Sequence, residues 1–114
     1  MTQRPLTLLT GASRGMGLAM AQQLVAAGHE LVTLSRQTSP ALAQAAAAAG
    51  IPCEQWAVDL ADPSAAASRL QAWLAQRGPA GVTSVALINN AGVIPRIAPL
   101  GEIDAGDLAR ALRV

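Results

Sequence analysis

Residues 10–17, with the sequence TGASRGMG, decide the fold of this chain of 114 residues. They follow the run at 6–9, which is apolar apart from Thr7 and is typical of a strand covered on both faces, and they lead into a helical pattern at 15–27. Glycines between a strand and a helix let the backbone turn sharply, and the unpaired N–H groups at the start of the helix favour an anion. The stretch therefore predicts a phosphate-binding turn. A glycine turn without a ligand is the alternative.

The rest of the chain continues this alternation of short β-type runs and longer helical runs. Further strands are predicted at 31–34, 54–58 and 82–88. Helices are predicted at 40–49 after a Ser39 cap and at 63–77 after an Asp62 cap, with Gly28, Gly50 and Gly78 as stops. Residues 93–99 are predicted as a loop, and a last helix begins near Asp104 and continues to Val114.

This alternation predicts the α/β class, with parallel βαβ units in a single domain over residues 1–114. Because parallel crossovers are right-handed, the predicted strand order is 3-2-1-4, with a ligand at the carboxyl edge of strands one and four. The predicted sheet is doubly wound but incomplete, and it lies between two helix layers in a three-layer αβα arrangement.

Three motifs at predicted strand ends resemble the short-chain dehydrogenase/reductase family. They are the turn at 10–17, read as TGxxxGxG, then Asp59-Leu60, then Asn89-Asn90-Ala91-Gly92. The resemblance implies a Rossmann-like fold of about twice this length, of which the chain is the N-terminal half. It also implies an oxidoreductase that uses NAD or NADP to move hydride to or from a carbonyl or alcohol.

The resemblance further implies which residues bind the cofactor. Those on the pyrophosphate and adenosine side are Gly11, Ser13, Arg14, Gly15 and Met16. Those expected at the adenine ring are Asp59 and Leu60, and those passing under the ribose and nicotinamide side are Asn90, Ala91 and Gly92. Asn89 is expected to tie the fourth strand to its neighbours. A capping or loop role for Asp59, and a purely structural role for the two asparagines, stay open.

Charge at the end of the second strand favours NADP(H) over NAD. Enzymes that prefer NAD place an acidic residue there to hold the ribose hydroxyls, about 20 residues after the glycines. Here that position is Ser35, and Arg36 follows it. Together with Arg14, Arg36 offers a second guanidinium to a 2′-phosphate. A solvated loop arginine is the alternative reading of Arg36.

Composition excludes several other classes of function. The chain is 52% hydrophobic and 13% charged, which argues against disorder, and its net charge of +1 is the balance of eight scattered arginines against seven acidic residues. Nucleic-acid and membrane partners are therefore not expected, and no apolar run approaches the roughly 20 residues that span a bilayer. Cys53 stands alone, which excludes an internal disulfide and suggests the cytoplasm. His29 is expected to be exposed and to bind no metal, and both tryptophans are expected to pack rather than to stack on a ligand.

The chemistry that the resemblance implies is missing from these residues. The family transfers protons with a Tyr and a Lys four residues later, helped by a Ser, and this chain contains neither Tyr nor Lys. No catalytic residue is therefore assigned, and the chain alone is predicted to be inactive. We expect the N-terminal part of a longer NADP(H)-dependent enzyme that forms homo-oligomers. The alternatives are a truncated, non-catalytic nucleotide-binding or interaction protein, and an inactive remnant. An open edge at strand 82–88, where a fifth parallel strand would pair, supports the first expectation.

Overall fold

The computed structural model describes residues 3–59, 61–90 and 93–98. Its elements, in chain order, are β1 (Arg4–Thr10), α1 (Gly15–Ala26), β2 (Glu30–Ser35), α2 (Pro40–Ala49), β3 (Cys53–Ala57), α3 (Pro63–Arg77), β4 (Val82–Asn89) and β5 (Val93–Ala98). The four predicted strands and the first three predicted helices are present, with ends displaced by at most two residues. The helix predicted from Asp104 lies outside the described residues.

The strands form one sheet in the order β3-β2-β1-β4-β5. β1 pairs in parallel with β2 and with β4, and β2 pairs in parallel with β3. The predicted α/β fold and the 3-2-1-4 order are therefore confirmed. In this register Thr10 lies beside Leu34 on one side and Asn89 on the other, so three strands end together at one edge.

The prediction of a loop at 93–99 was wrong, because residues 93–98 form β5. This strand is antiparallel to β4, with Ala86 opposite Ile97 and Asn89 opposite Val93, and its register shifts between Leu87 and Asn89. Pro95 made a strand look unlikely from the sequence. A proline is nevertheless tolerated on an edge strand and at a register shift, where its missing N–H leaves no ladder bond unmade.

β5 also corrects the prediction of an open edge on β4. The backbone groups of β4 that face away from β1 pair with β5 from Val85 to Asn89. An unpaired apolar edge is a liability that proteins cover, and here a segment of the same chain covers it. The edge therefore no longer supports the expectation of a missing parallel strand.

Side chains fill both faces of the sheet, which confirms the three layers. On the face of α3, strand residues such as Leu8 and Val85 pack against Ala67 and Leu70. On the face of α1 and α2, the cluster of fully or nearly fully buried residues consists of Leu9, Ala12, Ala21, Val25, Leu31, Leu42 and Ala46. The strands are apolar on both sides because both sides are covered.

Local caps explain where α2 and α3 begin and where α2 ends. The Ser39 side chain accepts a hydrogen bond from the Leu42 N–H, and the Asp62 side chain accepts one from the Ala65 N–H. Gly50 ends α2 in the left-handed conformation, with φ of +68°. These predicted caps are present.

An ion pair fixes α3 at the amino ends of the strands, away from the glycine turn. Arg77 Nε and Nη2 donate to the two carboxylate oxygens of Glu30 over 2.8 and 2.6 Å. The hydrogen bond to Glu30 raises the pKa of Arg77 above its ordinary value, so the guanidinium stays charged. Arg77 Nη1 also donates to the carbonyl oxygens of Gly78 and Ala80, which ties the end of α3 to the loop before β4.

Two smaller findings concern residues singled out in the sequence. Trp56 and Trp73 pack edge to face, with ring centroids 6.1 Å apart, and the Arg69 guanidinium lies 4.3 Å from the Trp56 ring centroid. The expectation that His29 is exposed was wrong: it is partly buried, and its Nδ1 lies 3.0 Å from Thr7 Oγ1.

Within the described ranges no helix is both long enough and apolar enough to cross a membrane. The same part of the chain holds no cluster of metal-ligating side chains.

Candidate functional site

The turn between β1 and α1 depends on three glycines. Gly11 and Gly15 have φ of +69° and +61°, a region that L side chains rarely adopt. Gly17 is needed for a different reason, since a Cβ atom there would lie 1.8 Å from the Gly11 carbonyl oxygen. These glycines therefore let the first turn of α1 pack directly against the end of β1.

The start of α1 offers backbone N–H groups that no side chain caps. Arg14 occupies the N-cap position without a side-chain capping hydrogen bond, and the first turn contains no acidic residue. The free N–H groups and the helix dipole together make this end attractive to an anion. Met16, in the same turn, is 76% exposed and adds apolar surface beside the N–H groups.

Thr10 joins the carboxyl ends of β1 and β4. Its Oγ1 donates to Asn89 Oδ1 over 2.8 Å and accepts from the Asn90 N–H over 3.0 Å. The Asn90 Nδ2 donates in turn to the Gly11 carbonyl oxygen over 3.2 Å. Asn89 at the end of β4 and Asn90 after it therefore hold the glycine turn in place, which is the structural role left open for them.

Ser35 joins the end of β2 to the same turn. Its side-chain Oγ accepts a hydrogen bond from the Ala12 N–H over 2.8 Å, and its own side chain is buried. The Gly11 N–H donates to the Leu34 carbonyl oxygen over 3.0 Å, one residue earlier on β2. The position where NAD-preferring enzymes carry an acid is thus occupied by a hydroxyl that serves the turn.

A cavity of about 560 Å³ opens where β1, β2 and β3 end. It lies within the roughly 300–1,000 Å³ typical of small-molecule sites. Its lining comes from the glycine turn, from the segment after β2 and from the segment after β3. The lining residues are Gly11, Ser13, Arg14, Leu34, Ser35, Arg36, Gln37, Val58, Asp59 and Ala61.

Two positive groups and one negative group border this cavity. Arg14 and Arg36 are both exposed, and within the described part of the chain neither guanidinium forms an ion pair. Asp59 Oδ1 accepts a hydrogen bond from the Ala61 N–H over 2.9 Å, so this carboxylate stabilises its own loop while it lines the cavity. The loop role left open for Asp59 therefore exists beside any role in binding.

The cavity unites part of the predicted cofactor-binding set. Gly11, Ser13, Arg14, Arg36 and Asp59 all line it. Gly15, Met16 and Asn90 are not among the lining residues; the first two belong to the first turn of α1, and Asn90 contacts Gly11. Leu60, Ala91 and Gly92 lie outside the described residues. Four further lining residues were not predicted from the sequence, although each stands next to, or two residues from, a predicted one: Leu34, Gln37, Val58 and Ala61.

The residues present fit a dinucleotide. A side chain at Gly17 would fill the space that the turn needs, the uncapped helix start presents N–H donors, and two guanidiniums border the adjoining cavity. Such donors suit phosphate groups. This donor set therefore matches the phosphate groups of a dinucleotide cofactor.

Comparison of the sequence with family models agrees with this site. The short chain dehydrogenase model matches residues 5–114, which is nearly the whole chain. The chain therefore belongs to the short-chain dehydrogenase/reductase family, a family of oxidoreductases.

Individual relatives give the same assignment. Benzil reductase ((S)-benzoin forming) of Bacillus subtilis (strain 168) is 30% identical over 105 residues, which cover 92% of this chain and 40% of that protein. A metagenomic short-chain oxidoreductase in complex with NADP is 33% identical, with a TM-score of 0.58 over 65% of this chain and 34% of that one. A 3-oxoacyl-[acyl-carrier protein] reductase from Brucella melitensis in complex with NAD is 30% identical, with a TM-score of 0.55 over 82% of this chain and 35% of that one.

Two results of these comparisons bear on the function: the share of the relative's length that is covered, and the cofactors of the related structures. The chain spans 40% of the length of the curated relative. The related structures hold NADP in one case and NAD in the other, so they support a nicotinamide dinucleotide without choosing between the two.

Proposed function

We propose that this chain is the N-terminal, cofactor-binding half of a short-chain oxidoreductase that prefers NADP(H). The observation that carries the proposal is that the uncapped start of α1 adjoins a cavity bordered by both Arg14 and Arg36. The helix start offers N–H donors to a diphosphate. The two guanidiniums offer charge-assisted hydrogen bonds to a phosphate on the ribose 2′ position.

The charges around the cavity support NADP(H) rather than NAD(H). An enzyme that prefers NAD uses a carboxylate at the end of β2 to accept hydrogen bonds from the ribose hydroxyls. Here Ser35 stands at that position, and its Oγ accepts a hydrogen bond from the Ala12 N–H. The lining contains two arginines and one carboxylate, that of Asp59. An extra dianionic phosphate is therefore favoured by the local charge.

The proposed reaction is hydride transfer, in which the bound nicotinamide would supply a hydride to a carbonyl or accept one from an alcohol. Within this chain the role of the side chains is to bind and orient the cofactor. The Tyr and Lys with which the family transfers protons are absent from this chain, so we place them in the rest of a longer protein. That protein would act in the cytoplasm, as the single Cys53 suggests, and would form homo-oligomers, as membership of the family implies.

The alternative is a truncated, non-catalytic nucleotide-binding or interaction protein whose open edge a partner covers. Because β5 pairs with that edge, the edge supports neither this alternative nor the longer enzyme. The uncapped N–H groups at the start of α1, by contrast, favour an anionic ligand.

The test is a titration of the whole protein with NADPH and NADH, for the wild type and for Arg36→Ala. We expect Arg36→Ala to weaken NADPH binding at least about tenfold more than NADH binding, since 1.4 kcal/mol is tenfold and a hydrogen bond to a charged group contributes roughly 1.5–3 kcal/mol. Arg69→Ala is the matched control, because Arg69 is exposed and lies against Trp56, away from the cavity. It should change neither affinity.

Two further ligands, which lack the nicotinamide, test the contribution of the 2′-phosphate alone. Adenosine 2′,5′-bisphosphate should compete with NADPH more strongly than adenosine 5′-phosphate does, and this difference should disappear in Arg36→Ala. Equal affinity of the wild type for NADPH and NADH would contradict the preference for NADP(H). No binding of either dinucleotide would contradict the proposed function as a whole.

A further inference from the structure

The segment that carries Arg36 is held at both ends. Arg36, Gln37 and Thr38 are exposed, and they lie between two buried residues, Ser35 and Ser39. Only three residues therefore separate two anchors, and the freedom of the exposed backbone depends on how firmly each anchor is held. Two of these residues, Arg36 and Gln37, line the cavity.

The first anchor joins Ser35 to the neighbouring strands. Its Oγ accepts from the Ala12 N–H over 2.8 Å, and its carbonyl oxygen accepts from the Val58 N–H over 2.8 Å. Both contacts belong to the cavity wall, since Ser35 and Val58 line it. This anchor is part of the site itself.

The second anchor is a side chain that lies outside the cavity lining. Gln55 Oε1 accepts from the Ser39 N–H over 2.7 Å, and Gln55 Nε2 donates to the Ser39 carbonyl oxygen over 2.9 Å. One amide group thus satisfies both backbone groups of Ser39, while Ser39 Oγ accepts from the Leu42 N–H. Gln55 lies on β3, so it fixes the start of α2 to the neighbouring strand.

We propose that Gln55 is a positioning residue for the 2′-phosphate specificity of the site. It acts by holding Ser39, and therefore the far end of the Arg36–Gln37 segment, without itself touching the ligand. A guanidinium on a fixed backbone loses less conformational freedom when it binds a phosphate than one on a loose loop. This inference rests on the proposed NADP(H) preference.

A merely structural role would change stability but not selectivity, so the ratio of the NADPH and NADH dissociation constants is the decisive measurement. Gln55→Met removes both hydrogen bonds and keeps the length of the side chain. Gln55→Ala removes the same two hydrogen bonds with a smaller side chain, and neither variant adds a charge near the cavity. Trp73→Phe is the control, because it removes the Trp73 Nε1 hydrogen bond to Glu54 on the same strand and leaves Ser39 untouched.

We expect Gln55→Met to reduce the preference for NADPH over NADH about fivefold, roughly the contribution of one neutral hydrogen bond. Gln55→Ala should reduce the preference at least as much, and Trp73→Phe should leave the ratio unchanged. In an Arg36→Ala background, Gln55→Met should no longer change the ratio, because its effect passes through Arg36. If Gln55→Met does not fold, Gln55→Ala carries the same comparison and the same test in the Arg36→Ala background.

The outcomes separate this inference from the proposed function. If Arg36→Ala lowers the preference and the Gln55 variants leave it at the wild-type value, the positioning role is wrong and the proposed function stands. An equal loss of the preference in Trp73→Phe would reduce the Gln55 effect to general destabilisation and would also overturn the inference. If the wild type itself shows no preference for NADPH, both proposals fail together.

Discussion

A Cβ atom on Gly17 would lie 1.8 Å from the carbonyl oxygen of Gly11 and 2.9 Å from Asn90 Nδ2. The first of these atoms is backbone, so it has no rotamer that would relieve the overlap. We expect Gly17→Ala to destabilise the fold by at least about 3 kcal/mol, the upper end of ordinary overpacking costs. Inside a helix the same substitution ordinarily stabilises by roughly 1 kcal/mol, so the sign of the change is informative. Urea unfolding measures the loss of stability, and a NADPH titration measures the effect of the same change on nucleotide binding.

Gly28→Ala provides the control for backbone strain without a clash. Gly28 has φ of +89°, and a Cβ atom there would meet nothing within 4 Å. We expect a loss of about 1–2 kcal/mol from the left-handed conformation and no change in nucleotide binding. If Gly17→Ala were no more harmful than Gly28→Ala, the close packing of α1 against β1 would be wrong.

The second prediction concerns Thr10, which is almost fully buried and joins β1 to β4. Thr10→Val keeps the shape of the side chain and removes the donor to Asn89 Oδ1 and the acceptor for the Asn90 N–H. We expect a loss of about 2 kcal/mol or more, because buried groups that lose a partner cost roughly 1–3 kcal/mol each. Weaker binding of both NADPH and NADH should accompany it, since Asn90 also holds the Gly11 carbonyl oxygen.

Thr10→Ser tests whether the hydroxyl is responsible. It keeps both hydrogen bonds and removes one methyl group, for which we expect a loss of about 1 kcal/mol. Differential scanning calorimetry of the two variants would decide the matter. A Val variant as stable as the wild type, beside a destabilised Ser variant, would mean that packing of the methyl group, and not the link between the strands, is what the site requires.

Much of the fold was predictable because its signals are local. The glycine turn at 10–17, the Ser39 and Asp62 caps and the left-handed Gly50 each have a direct cause in residue type, and the apolar runs indicate strands covered on both faces. The parallel order then followed from the handedness of the crossovers. The location of Arg14 and Arg36 at one cavity followed from the same topology.

The remaining features depend on contacts between distant parts of the chain. The hydrogen bonds of Gln55 to Ser39, 16 residues away, and of Ser35 to Ala12, 23 residues away, have no signature in the sequence. The pairing of β5 with β4 was missed because Pro95 argues against a strand unless an edge position and a register shift are already known. His29 was missed because its partner, Thr7, lies on a neighbouring strand.

The last prediction concerns the pH dependence of stability through Cys53. Burial, and secondarily the nearby charge of Glu54, raise the pKa of the Cys53 thiol above its ordinary value. The unfolded chain therefore loses this proton at a lower pH than the folded chain does. Stability from this group is fully present below the ordinary thiol pKa of about 8.5 and decreases as the pH rises toward the higher folded value, with a slope of at most about 1.4 kcal/mol per pH unit.

Urea unfolding between pH 7 and pH 10 of the wild type and of Cys53→Ser measures this contribution, because the serine variant has no thiol to ionise. We expect the unfolding free energy of the wild type, measured relative to that of Cys53→Ser, to fall as the pH rises above about 8.5. Alkylation of Cys53 in the folded protein should be slower than in the unfolded chain at the same pH, since the thiolate is the reactive form. Glu54→Gln, which keeps an oxygen for the Trp73 Nε1 hydrogen bond, should speed alkylation of the folded protein by removing the negative charge. A stability difference that stays constant from pH 7 to pH 10 would show that the folded and unfolded thiols ionise alike.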